Sequence, residues 1–221
     1  MELLEALKAR HSVRQYTDKP IDFAILAVLQ SEIDICNQEG DLHIQLVTNE
    51  PKAFDSFMAH YGKFHGVKNY FALVGKKSGR LDELCGYYGE RLVLKAQQLG
   101  LNTCWAAMSY QKIHGAFQVA DGEKLTVVIS LGYGKTQGVT RKSKSAEAVS
   151  NINSNSPAWF WAGVEAALLA PTAMNQQRFT LSYLDGRVTA KAKAGFYTKI
   201  DLGIVKYHFE IGAGKEHINW K

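Results

Sequence analysis

The hydrophobic period of this chain changes repeatedly along its length, and that alternation limits the fold more than any other feature. "NYFALVG" at 69–75 is a short, nearly continuous apolar run of the kind that makes a buried strand. "DELCGYYGERLVLKAQQLG" at 82–100 then places Leu84, Tyr88, Leu92, Ala96 and Leu99 three or four residues apart, the spacing of one helix face. "KLTVVISLGYG" at 124–134 returns to a strand, rich in β-branched residues. Helices and strands are mixed throughout without an internal repeat, and a hairpin occurs among them, so the expected class is α+β. No GxGxxG follows a first strand, which argues against a doubly wound dinucleotide fold.

The remaining segments fit the same class. "ELLEALKA" at 2–9 predicts a short amphipathic helix, with acids near its start and Lys8 and Arg10 near its end, as the macrodipole favours. Asp22 is placed to cap a second helix that runs through "FAILAVLQSEIDICNQ" to Gly40. Leu42, Ile44 and Leu46 alternate as in a strand, and Pro51 stands where a helix through "KAFDSFMAHYG" would open. Gly100 is placed to end the long helix in a left-handed conformation. Inside that helix Gly86 and Gly89 cost roughly 1 kcal/mol each against alanine, which close packing on another helix or on a flat cofactor would offset. The basic, serine-rich stretch ending at Pro157 is the longest irregular segment and the candidate linker. Beyond it lie a helix at 158–170, a hairpin in "RFTLSYLDGRVTAKA" turned by Asp185 and Gly186, and a closing helix. That helix is expected to be capped by Asp201, with a stripe of Leu202, Val205 and Phe209.

Composition narrows the function classes. With 221 residues, 46% hydrophobic and 21% charged, the chain has the make-up of a globular protein with one sizeable core or two small ones. The net charge of +5 favours acidic ligands, but it is spread along the sequence, and "TRKSKS" at 140–145 is the longest basic cluster. A nucleic acid and a phosphate-bearing small molecule both remain open on that ground. The aromatics sit inside periodic apolar segments and form no stacking platform interleaved with basic residues. Cys36, Cys85 and Cys104 are odd in number and lack CxxC spacing, so they read as reduced thiols of a cytoplasmic protein. The N-terminus lacks the apolar stretch of a secretory signal, and no run approaches the roughly 20 residues that span a bilayer. His11, His43, His60, His65, His114, His208 and His217 show no metal-binding spacing, and no metal is expected.

Three short segments carry chemistry, each with a plain reading beside the functional one. In "RHSVRQY" at 10–16, Arg10, Ser12 and Arg14 alternate, so an extended backbone projects all three one way, as a hand for a phosphate; the alternative is a helix end decorated with cations. "GLNTCWA" at 100–106 offers Asn102 and Thr103 beside Cys104 and Trp105, or is simply a corner between helix and strand, with Cys104 read as a buried thiol. In "APTAMNQQRF" at 170–179, Pro171 cuts a helix and Thr172, Asn175, Gln176 and Gln177 crowd the turn. Their amides would either meet a heterocycle edge or cap the helix.

Taken in order, "RHSVRQY", "YYGERLVLKAQQLGLNTCW", "VVISLGYG", "APTAMNQQRFTL" and "DLGIVKYHFE" resemble the flavin-dependent nitroreductase family, in its Thermotoga-type branch whose Asn-containing motif comes late in the chain. The resemblance covers nearly the whole length and rests on the combination. It implies an α+β fold, a nitroreductase-like sandwich of a mostly antiparallel sheet flanked by helices, dimeric, with FMN as cofactor. It implies one FMN-binding domain over 1–221, with two similar halves, about 1–145 and 157–221, packed around one flavin cleft. By position, Arg10, His11, Ser12 and Arg14 would meet the FMN phosphate and ribityl chain. Asn102, Thr103, Cys104 and Trp105 would run past the isoalloxazine ring. Thr172, Ala173, Asn175 and Gln176 would lie at its polar edge, and Arg141, Lys142 and Lys144 would add basic contacts to the phosphate. Many relatives carry Gln-Pro-Trp after the Asn, where this chain has Gln177, Arg178 and Phe179.

The activity so implied is an NAD(P)H oxidoreductase that passes hydride through FMN to a nitroaromatic, quinone or activated enone. Tyr61, His65 and Tyr110 are substrate-side candidates, and no protonating side chain is assigned. The alternatives are a flavin-binding protein for sensing or storage with little turnover, and a nucleic-acid-binding protein acting through Arg141, Lys142 and Lys144. No nucleic-acid or membrane partner is expected on the leading reading, and a homodimer is.

Overall fold

The apolar periods of the sequence become the regular elements of the computed structural model, which describes residues 1–218 and 220. In chain order these are α1 (Leu3–Ala9), α2 (Phe23–Gly40), β1 (Gln45–Val47), α3 (Phe57–Tyr61), β2 (Asn69–Lys76), α4 (Leu81–Gln98) and β3 (Asn102–Ala106). There follow β4 (Glu123–Gly132), α5 (Ala146–Val149), α6 (Ala158–Leu168), β5 (Phe179–Leu184), β6 (Arg187–Ala192) and α7 (Thr198–Ala213). The class is α+β, with antiparallel sheet and helices together. The chain divides into two units: Met1 with 9–81 and 92–140, and 2–8 with 82–91 and 141–221. The division passes through the middle of α4.

The first unit is built on a four-stranded sheet in the order β1-β2-β4-β3, antiparallel throughout. Register places Ser130 of β4 between Tyr70 and Cys104, and Val128 between Ala72 and Ala106. Side chains two apart share a face, and this face buries Tyr70, Ala72, Cys104, Ala106 and Val128 with Phe54, Phe64, Val67 and Tyr16. The Phe54 ring lies 5.0 Å from Phe64 and 5.9 Å from Tyr70, a packed aromatic cluster that fixes the loop 51–67 on the sheet.

Several local expectations change here. The helix after Asp22 ends on Asp41, itself left-handed at φ 47°, one residue past the expected stop. The strand expected from Leu42 pairs only from Gln45, because the Asn37 side chain takes both backbone groups of Ile44; Leu42 contributes one bridge to Gly75. The helix expected from Pro51 is split into a 3-10 turn, Pro51–Phe54, and α3. The Glu50 carboxylate accepts from Lys52 N–H, Asp55 leaves helical geometry, and Ser56 Oγ accepts from Ala59 N–H to start α3 afresh.

In the second unit β5 and β6 form the hairpin, with Asp185 and Gly186 both at positive φ, as a type I′ turn requires. Helices α6 and α7 pack side by side, and the Phe209 ring sits against Gly163, where a Cβ would come within 2.6 Å of it. The start of α4 packs still more closely on α7: a Cβ on Gly86 would lie 2.0 Å from the Ile200 carbonyl oxygen, and one on Gly203 2.0 Å from that of Glu83. Helix contact is thus what Gly86 serves. The buried face of this part of the helix runs through Cys85, Gly86, Gly89 and Glu90, while Leu84 and Tyr88 of the expected stripe are half-buried. Asp201 is not the cap of the closing helix. That position is Tyr197, at φ 58°, and Asp201 is buried inside the first turn with its carboxylate turned to another task.

Candidate functional site

The arginine segment is extended and is held by the sheet of the first unit. Ser12 pairs with Thr103 in a parallel bridge, and Val13 N–H donates to Thr103 O at 3.0 Å. Further along, Tyr16 N–H donates to His65 O, and Thr17 N–H to Tyr133 O. Ser12 and Arg14 therefore lie on a backbone paired with the sheet, while Arg10 directly follows the last residue of α1. Arg10 is only 3% exposed, Ser12 is half-buried, and Arg14 is exposed with its guanidinium 5.9 Å from the centre of the Phe64 ring.

Cys104 records how these groups converge. Burial pushes its thiol pKa up, while the Arg14 charge, a hydrogen bond from Ser12 and the Arg10 charge pull the other way. It is a buried thiol at the foot of the arginine segment. Asn102 is also buried, and its side chain is committed to the 134–137 loop: Oδ1 accepts from Gly134 N–H at 2.9 Å and Nδ2 donates to Gln137 Oε1 at 3.1 Å. That loop lies on the arginine segment, since a Cβ on Gly134 would come within 2.7 Å of Val13 Cγ1, and one on Gly138 within 2.5 Å of His11 Cβ. The structure thus brings together Arg10, His11, Ser12, Arg14 and Asn102–Trp105.

The second unit brings together the other predicted residues. Asn175 Nδ2 donates to Lys142 O at 2.8 Å, and Lys144 Nζ donates to Gln176 O at 2.8 Å and Gln177 O at 3.0 Å. The Arg141 guanidinium donates to Leu168 O and Ala170 O, closing the C-terminal end of α6. Arg141 and Lys144 are therefore directed at carbonyl oxygens, while the Lys142 side chain is exposed. Arg178, in the place of the usual proline, donates to Ala194 O.

Two residues outside the cofactor-binding set that the resemblance implies organise this loop. Gln177 is 2% exposed; its N–H donates to Thr172 Oγ1, its Nε2 to Asn175 Oδ1, and its Oε1 accepts from Lys144 N–H. Asp201 accepts from Ala173 N–H and from Gln176 Nε2, both at 2.9 Å. Its burial pushes the carboxyl pKa up to about 6, against the pull of those two donors. Met174, Asn175 and Gln177 all have positive φ, at 50°, 53° and 46°. Three left-handed residues without glycine carry strain that a surrounding hydrogen-bond network must hold, as ligand-binding loops do. The run of amides was the visible signal for Gln177; nothing local marked Asp201.

Of the substrate-side candidates, Tyr61 is 77% exposed on α3. The His65 ring stacks on His60 with centroids 5.5 Å apart, and His60 Nε2 lies 3.3 Å from Asp55 Oδ1. The Tyr110 ring lies 6.3 Å from Phe54. Among the described residues no group of three or more histidine, cysteine and acidic side chains is placed to hold a metal ion, and no helix is long and apolar enough to cross a membrane.

Comparison with solved structures finds this fold in the crystal structure of a "putative nitroreductase" from Thermotoga maritima, at 23% identity and TM-score 0.68, covering 98% of this chain and 85% of that one. A nitroreductase family protein from Streptococcus pneumoniae matches at 14% identity and TM-score 0.55, over 70% of this chain and all of its own. A nitroreductase in complex with FMN from Desulfovibrio desulfuricans matches at 14% identity and TM-score 0.52, over 71% of this chain and 99% of that one. At these identities the likeness is one of fold. None of the curated proteins matches the sequence. The family described as "Putative TM nitroreductase" matches residues 2–213, which is nearly the whole chain. The chain belongs to this nitroreductase family.

Proposed function

We propose that this protein is an FMN-dependent oxidoreductase that takes hydride from NADH or NADPH and delivers it to a flat, electron-poor acceptor, a nitroaromatic, quinone or activated enone. The observation that carries the reading is the arginine segment locked on β3, with Arg10 nearly excluded from water and Ser12 and Arg14 following at alternate positions. That donor set fits a phosphate monoester. Two guanidiniums supply paired N–H donors and neutralising charge, and a hydroxyl adds a further hydrogen bond.

FMN, when bound, supplies the hydride chemistry. The chain's own residues bind and orient. Arg10, Ser12 and Arg14 hold the phosphate, with His11 against the ribityl chain. Thr103, Cys104 and Trp105 offer a rigid strand edge for the ring, whereas the Asn102 side chain is occupied with the 134–137 loop. The amide-rich loop at 172–177 offers N–H and C=O groups to the polar edge of a flavin, with Thr172, Ala173, Asn175 and Gln176 fixed by Gln177 and Asp201. Donors at that edge would stabilise negative charge on a flavin bound there. Of the basic trio, Lys142 offers its ammonium, and Arg141 and Lys144 hold the loop. The working protein is a cytoplasmic homodimer on this reading, and its three buried free cysteines support a reducing compartment.

The test is anaerobic. Protein loaded with FMN and freed of excess should absorb near 450 nm (roughly, as flavins do), bleach on addition of NADH or NADPH, and recover on mixing with one acceptor class. Failure to retain FMN overturns the reading. Retention without reduction by either nicotinamide leaves the storage or sensing role in its place.

A further inference from the structure

The hydroxyl of Tyr16 sits at the junction of the arginine segment and the sheet. Its Oη lies 2.6 Å from Val13 O and 2.8 Å from Ser130 Oγ, and Ser130 Oγ lies 3.2 Å from Cys104 O. Tyr16 is 2% exposed and Ser130 is completely buried.

Counting hydrogens assigns the directions. Two hydroxyls bring two hydrogens to three oxygen–oxygen contacts. The shortest, to the Val13 carbonyl, is tolerable only with a hydrogen between the oxygens, and a carbonyl has none to give. Tyr16 therefore donates to Val13 O, and Ser130 donates its hydrogen to Tyr16 Oη, the nearer of its two acceptors. Burial raises the Tyr16 pKa well above that of a free phenol, so the hydrogen stays in place. With Val13 N–H donated to Thr103 O, both backbone polar groups of Val13 are then fixed. Val13 stands between Ser12 and Arg14. Fixing its two peptide planes sets the direction in which both neighbouring side chains leave the backbone.

We propose that Tyr16 is a positioning residue for recognition of the FMN phosphate, acting through the Val13 carbonyl to hold Ser12 and Arg14 in a phosphate-binding arrangement. The inference rests on the reading of that segment as the FMN phosphate site. It assigns Ser130 a lesser part, as a donor that supports the phenol.

The measurement is a ratio. FMN and riboflavin differ only by the phosphate, so their relative affinity for the flavin-stripped full-length protein, followed by quenching of flavin fluorescence, reports on the phosphate hand alone. In Tyr16→Phe the preference for FMN over riboflavin should fall about tenfold, the loss of one net hydrogen bond and of the geometry it sets, with riboflavin affinity unchanged. Ser130→Ala should keep most of the preference, since the Tyr16 hydrogen still reaches Val13. Should Tyr16→Phe fail to fold, Gly132→Ala carries the same test, because its methyl would press on Tyr16 Cδ1 at 3.0 Å and displace the ring. An unchanged ratio in the folded variant, or an equal fall for both flavins, overturns the proposal. A wild-type protein with no preference for FMN overturns the phosphate-site reading itself, and the two failures are separately visible.

Discussion

His208 Nε2 lies 2.8 Å from Glu90 Oε1 in the second unit, and neither side chain reaches solvent. His208 Nδ1 faces Ala166 O at 3.2 Å and donates a hydrogen there. Removing one partner leaves the other buried with its bond unmade. Glu90→Leu should destabilise the protein by about 3–5 kcal/mol, while the double variant Glu90→Leu/His208→Leu should recover part of that loss. Urea denaturation of the wild type, Glu90→Leu, His208→Leu and the double variant measures the coupling. Additive losses would show that the contact contributes nothing.

Asp201 gives a pH dependence with a definite sign. Its carboxyl titrates at about 6 when folded, against 3.8 for the free group. The folded state therefore binds this proton more tightly, and the group's contribution to stability is complete below about pH 4 and is lost as pH rises through 6. Asp201→Asn should gain on the wild type by roughly 3 kcal/mol across that window, at about 1.36 kcal/mol per unit. Melting temperatures of both proteins from pH 4 to 7 test it. Parallel curves would mean that the carboxyl does not titrate in this range.

Arg14 is exposed, with its guanidinium over the Phe64 ring, so its removal should leave folding nearly intact. If it binds phosphate, Arg14→Ala should weaken FMN binding ten- to a hundredfold, the size of a lost charge-assisted hydrogen bond, with a melting temperature close to wild type. Flavin titration and thermal denaturation measured on the same preparations separate the two effects. Equal FMN affinity in the variant would return the segment to its plain reading as a helix end decorated with cations.

Gly203→Ala tests the packing of α7 on the start of α4. The new methyl would stand 2.0 Å from Glu83 O and 2.6 Å from Tyr87 N, backbone atoms that move only with their helix. A loss of about 3 kcal/mol or more, or insoluble protein, is expected, at the upper end of overpacking effects. Stability within 1 kcal/mol of wild type (roughly the effect of an ordinary surface change) would mean that the helices have room to part.

What the sequence disclosed is what local spacing encodes. The left-handed stop at Gly100 and the Asp185-Gly186 turn each depend on residues a few positions apart, and each stands where expected. Asp201 illustrates the limit. An aspartate ahead of an apolar stripe has the pattern of a cap, and only the arrival of Ala173 and Gln176 from elsewhere in the second unit gives it a different role. Tyr16 is a similar case. Nothing near it in the sequence announces that its partner is Ser130, more than a hundred residues later. Gly86 was open to two readings, and close approach to Ile200 decided between them. Arg141 and Lys144 were recognisable as cations, but not as donors to carbonyl oxygens of their own unit.

The arginine segment has a consequence for how the protein is made. It has no helix or hairpin of its own; its backbone is fixed by Thr103, His65, Tyr133 and Lys135, at separations from roughly 50 to 120 residues. Such distant closures are slow to form and hold nothing until the last strand is in place. The earlier partner in each closure therefore settles only after the later one is made. A nascent chain that stops short of Lys135 carries Arg14 without the scaffold that would aim it. If this segment holds the FMN phosphate as proposed, cofactor capture should report completion of the first unit, and bound flavin should act as a late latch that slows its reopening.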